Sequence, residues 1–175
     1  MLAFLYSVAG ISQTYITREG EVSFFSSAPL EDIEAVNNRV QALLDYSTGE
    51  MAIRMRIEDF QFPRALMQRH FNERFMESHL YPEARFSGTI EDFSEKMEQG
   101  NAVGVVAAGT LTIHGVTRET EIAGTIERYG PHLICKAEFP VSVADYDISI
   151  PRIFIRNIAE VVEVTANFRL APVDD

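Results

Sequence analysis

Apolar and polar residues alternate along most of the chain, in about eight separate stretches with a period of two. Met51, Ile53, Met55 and Ile57 alternate with Ala52, Arg54, Arg56 and Glu58. Leu133, Cys135, Ala137, Phe139, Val141 and Val143 alternate with His132, Ile134, Lys136, Glu138, Pro140 and Ser142. A period of two puts successive side chains on opposite faces of an extended strand, so each stretch has one dry face and one wet face. The pattern predicts strands near 20–27, 38–47, 50–60, 84–93, 103–114, 117–129, 132–143 and 160–170.

Short turn signals separate these strands. Ser47-Thr48-Gly49 and Tyr129-Gly130-Pro131 carry glycine for the positive φ of a tight turn, and His114-Gly115-Val116-Thr117 links two alternating runs more closely still. Links this short favour antiparallel neighbours. Eight antiparallel strands without an exposed edge close as an up-and-down barrel, and a two-sheet sandwich fits the same pattern almost as well.

The dry rows are the candidate wall of an internal cavity. They hold Phe24, Val40, Leu44, Met51, Ile53, Met55, Ile57, Phe86, Ile90, Leu111, Ile113, Ile122, Ile126, Phe139, Val141, Val164 and Phe168. Ala42, Gly88, Gly124 and Ala166 fall in the same rows, and small side chains leave a closed sheet short of material to fill its middle. An eight-stranded barrel is just wide enough to fill itself or to admit one ligand. The small residues favour the second outcome, against the alternative of an ordinary packed core.

Two segments break the alternation. Ser27-Ala28-Pro29-Leu30-Glu31-Asp32-Ile33 reads as a helical turn, with Ser27 at its N-cap and acids in its first turn. From Pro63 towards Tyr81-Pro82, Leu66, Met67, His70 and Phe71 share one helical face that Phe75 continues. A helix laid across the barrel mouth would bury that stripe.

The 175 residues suit one domain with a substantial core. A net charge of −11 argues against nucleic acid as a partner and against docking on anionic headgroups. The single cysteine excludes an internal disulfide, and Cys135 lies in a dry row as a small core residue. Met1 to Ser12 form an uncharged, mainly apolar run. It is too short to span a bilayer, and it reads either as the remnant of a secretion signal or as a first strand. The signal reading is favoured, which leaves 13–172 as the barrel domain and places the mature protein in the periplasm or outside the cell.

Longer strings are familiar. Phe60-Gln61-Phe62, Leu66 to Glu73, Met76-Glu77-Ser78, Tyr81 to Phe86, Gly109 to Thr117, and Tyr146-Asp147-Ile148 with Ile150-Pro151 follow one another in an order that resembles the YceI-like family of polyisoprenoid-binding proteins. Phe24 to Glu31 resembles a branch of that family. The resemblance implies a single eight-stranded antiparallel lipocalin-like barrel capped by one or two short helices. It further implies an elongated apolar cavity, usually in an exported protein, holding an isoprenoid chain such as a quinone tail or a polyprenyl phosphate. The partner would be an isoprenoid or another long-chain apolar ligand, with no other cofactor required. Burial of about 0.8 kcal/mol per methylene gives each isoprene unit roughly 4 kcal/mol before ordering costs. Cargo held this way leaves for a membrane or an acceptor protein, not for water.

Polar candidates are few. His70, on the lid stripe, would bond a headgroup or be satisfied by backbone. Arg64, Arg69, Arg152 and Arg156 would meet an anionic headgroup or remain solvated. The four histidines, at 70, 79, 114 and 132, lack metal-ligand spacing. No nucleophile elbow, phosphate-cradling loop or dinucleotide fingerprint is present. Glu73, Glu77, Asp92 and Asp145 show no spacing that demands acid–base work. A binding protein is therefore expected. The alternatives are an enzyme using His70 as general base in the same cavity, and a lipid-free module that presents its rim to an envelope protein.

Overall fold

The computed structural model describes residues 14–91, 98–154 and 156–173. Its strands are β1 (Thr14–Ser27), β2 (Asp32–Asp45), β3 (Glu50–Arg56), β4 (Glu83–Ile90), β5 (Ala102–Ile113), β6 (Val116–Tyr129), β7 (His132–Ser142) and β8 (Val161–Pro172). Each pairs antiparallel with the next, and β8 returns to β1, so the sheet is a closed barrel in sequence order. Closure gives every strand two neighbours and removes the edges that a sandwich would leave.

The register distinguishes the two ends of the barrel. Ser27↔Asp32, Arg56↔Glu83, Ile113↔Val116 and Ser142↔Val161 lie at one end, the mouth. Thr14↔Asp45, Tyr15↔Pro172 and Tyr129↔His132 lie at the other, the base. The two longest connections, 57–82 and 143–160, therefore emerge at the mouth. The first carries α1 (Ala65–His70), which widens into a π-helical turn over Phe71–Phe75.

Several sequence expectations need correction here. Residues 27–33 form no helix. Ser27 ends β1, its hydroxyl donates to Asp32 Oδ1 at 2.9 Å, and Ile33 already lies in β2. β1 and β2 begin at Thr14 and Asp32, earlier than their alternation suggests, because register shifts on either side of Gly20 interrupt the period of two while pairing continues. β3 stops at Arg56, and Ile57–Asp59 make a 3-10 turn. The lid helix is short because Met76 N–H reaches the Phe71 carbonyl (2.8 Å) and Glu77 then turns left-handed at φ 42°. Asp92 and Phe93, expected at the end of the fourth strand, and Met1 to Ser12 lie outside the described residues.

The base is solid. Tyr15, Leu44, Ile126, Leu133 and Leu170 are fully buried there, and Val40 is equally inaccessible higher in the wall. The small residues also act differently from expectation. A Cβ on Gly88 would sit 2.8 Å from Phe86 Cζ, and one on Gly20 would sit 2.6 Å from Phe168 Cδ1. Two aromatic rings thus occupy space that glycine vacates. Ala42 packs into the core, and Gly124 and Ala166 line only a small void of about 90 Å³ in the lower barrel.

Candidate functional site

Above that void, at the mouth, lies an apolar cavity of about 540 Å³. Inward positions of β1, β3, β5, β7 and β8, with Ile33 of β2 and Ala84 of β4, form its walls, and the two longest connections form its rim. The segment entering α1 is pinned to the barrel by a bridge between Val36 and Gln61, with N–H···O distances of 3.1 and 2.8 Å. The second connection is closed at its neck by Val143 N–H to the Glu160 carbonyl (3.0 Å). It is tied across to the β1–β2 turn by Leu30 N–H to the Arg156 carbonyl (3.0 Å) and by Ala159 N–H to Ser26 Oγ (2.9 Å).

One wall is aromatic. Phe71 stacks on Phe24 with centroids 5.6 Å apart and planes at 22°, and meets Phe62 at 4.9 Å. Phe60 closes on Phe24 at 5.4 Å. Rings in such contact hold one another, so the lid stripe rests on a firm surface. The polar members of the lining are Ser26, Glu31, Arg64, His70 and Asn157, against thioethers and hydrocarbon elsewhere. Arg64 forms an ion pair with Glu31 at the rim.

Of the residues expected from the dry rows and the lid stripe, Phe24, Met55, Ile57, Leu66, Met67, His70, Phe71, Phe75, Leu111, Ile113, Phe139 and Val141 line this cavity. Met51, Ile53, Phe86 and Phe168 line only the small void beneath it. Val40 and Leu44 line neither, since both are sealed into the packed core. Arg69, Arg152 and Arg156 are exposed outside the lining, and only Arg64 of the four expected arginines borders the cavity.

Sequence reasoning missed Phe60 and Phe62, and also the apolar face of 143–160, where Ile148, Ile150 and Ile158 reach the cavity. The alternation in Phe60-Gln61-Phe62 was a usable signal. The isoleucines sit in irregular backbone, where no period marks an inward face.

His114 was also missed. Its φ is 52° and its ring is buried, with Nδ1 3.1 Å from the Tyr146 carbonyl and Nε2 3.2 Å from Glu77 Oε2. Tyr81 packs against it at 4.3 Å between centroids. The other histidines lie apart from it: His70 at the cavity, His79 in solvent and His132 beside Arg169. Cys135 is buried, and desolvation pushes its thiol up to about 12.

The fold has solved counterparts. A polyisoprenoid binding domain from Saccharophagus degradans, implicated in plant cell wall breakdown, superposes with a TM-score of 0.80 at 14% identity, covering 93% of this chain and 99% of that one. Burkholderia cenocepacia BcnA gives 0.72 at 16% identity over 87% and 96%. A Campylobacter jejuni YceI protein gives 0.54 at 13% identity over 100% and 94%. Identities this low establish shared architecture alone. No curated protein matches the chain. The sequence profile of the YceI-like domain matches residues 14–170, which take in all eight strands and both connections that build the mouth, and the chain therefore belongs to the YceI-like family.

Proposed function

We propose that this protein is a carrier or store for an isoprenoid-type lipid, with the chain of the lipid in the mouth cavity and its headgroup at the rim. The observation that carries this reading is the 540 Å³ cavity, whose few polar side chains gather near the rim segments while its walls are hydrocarbon and thioether. A volume of this size suits one small amphiphile. Family membership and the polyisoprenoid-binding name of the Saccharophagus degradans relative support the same ligand class. Binding without chemistry is the simpler reading, since the lining supplies a greasy wall and His70 but no assembled nucleophile.

The proposed headgroup is a quinone or a polyprenyl phosphate, met by Arg64, His70 and Asn157. The proposed location is the periplasm or the cell exterior, on the strength of the apolar run at Met1 to Ser12. Organic extraction of protein purified from its native host, followed by mass spectrometry, tests the carrier reading. Stoichiometric recovery of an isoprenoid amphiphile is expected. Protein that never carries an amphiphile, even after exposure to quinones and polyprenyl phosphates, sinks it.

A further inference from the structure

Five residues line both the large cavity and the small void beneath it: Val22, Met55, Leu111, Phe139 and Val164. They come from β1, β3, β5, β7 and β8, so side chains of five strands ring the passage where the two spaces meet. Above the ring lie 540 Å³ open to the mouth, and below it lie 90 Å³. Beneath that the barrel is plugged by Phe168, Leu133 and Leu170.

We propose that this ring is a length stop, which limits the buried part of the ligand to a short apolar chain of three to four isoprene units. The inference rests on the carrier reading and deepens it. At about 30 Å³ for each methylene-sized group, taken as equal to a water, the 540 Å³ cavity accepts roughly eighteen carbons. A longer chain meets the side chains of the ring, Phe139 among them, and must leave its remaining units projecting through the mouth into water. The void under the ring would admit only about three further groups.

Competitive loading tests this. Phosphatidylcholine vesicles containing equal amounts of all-trans polyprenols of 10, 15, 20, 30 and 40 carbons are incubated with the protein, which is then separated, extracted and weighed by mass spectrometry. Membrane and cavity are both apolar, so chain length matters only once units are forced into water. The native protein should take the 15- and 20-carbon chains and should deplete the 30- and 40-carbon chains by about tenfold or more, because each projecting unit exposes five carbons. Phe139→Ala should move the cutoff up by about one unit. Adding Ala166→Leu to that variant should move it back, by filling the void from below. If Phe139→Ala does not fold, Met55→Ala reads the same shift. Equal loading of the 20- and 40-carbon chains, or a cutoff unmoved by opening the ring, overturns the length stop while leaving a carrier. No uptake at any length overturns the carrier reading and the stop together.

Discussion

His114 Nε2 lies 3.2 Å from Glu77 Oε2, joining the end of the lid segment to the β5–β6 turn. A carbonyl only accepts, so Nδ1 carries the proton that bonds Tyr146 O, while Nε2 faces the Glu77 carboxylate. Glu77, His114 and Asp147, next to Tyr146, are the non-glycine residues at positive φ among those described. Three left-handed backbone positions thus converge on one imidazole that fastens three separate segments at the mouth. His114→Ala should lower stability by about 1–3 kcal/mol, mostly through the orphaned Tyr146 carbonyl, because Glu77 is partly solvated. Thermal unfolding measures the loss. Hydrogen exchange should locate it at 76–82 and 143–148, with the base strands unchanged.

Burial makes Cys135 a pH-dependent element. Its thiol is raised from an ordinary 9.0 to about 12, so the folded state binds a proton that the unfolded chain releases. Stability from this group is complete below about pH 9 and is lost as pH rises towards 12. Denaturant midpoints of the native protein and Cys135→Ala, measured across that range, should converge with rising pH relative to their difference at neutrality. Ellman's reagent should react with the thiol at neutral pH only as fast as the barrel opens.

Gly88 faces Gly109 across β4 and β5, and a Cβ at 88 would lie 2.4 Å from the Ala108 carbonyl oxygen as well as against Phe86. Backbone cannot retreat as a side-chain tip can. Gly88→Ala should destabilise the fold by about 1–3 kcal/mol, readable as a reduced denaturant midpoint.

The mouth and the base should respond oppositely to truncation. Leu133 is fully buried in the plug, and Leu133→Ala should cost about 2–5 kcal/mol of stability. Leu66 lines the cavity yet is 58% exposed, so Leu66→Ala should change stability by no more than about 0.5 kcal/mol. Paired denaturation curves of the two variants check the contrast.

Strand content and antiparallel order were legible in the sequence because the period of two runs through most of β5, β6 and β7, and because glycines mark their turns. The first two strands were shortened in the reading, since the irregularity around Gly20 disguises a pairing that only the partner strand reveals. The lid stripe from Leu66 to Phe75 was legible from its spacing, but the widened turn was not, as it depends on which carbonyl Met76 reaches. Dry rows named the right inward faces without their height in the barrel. Height decides that Leu44 is plug, Phe86 lines the lower void and Phe139 lies between two spaces. The small residues pointed to a hollow, whereas Phe86 and Phe168 lie over two glycines from neighbouring positions, and the larger space opens nearer the mouth.

The most direct measurement is a crystal structure of the protein after equilibration with vesicles carrying a 20-carbon polyprenol. Continuous elongated density from the rim at Leu66 down to Phe139, walled by Phe24 and Phe71, is the expected result. Phe71 folded inward to fill the cavity, with the lipid absent or bound only on the outer face of the barrel, would contradict it.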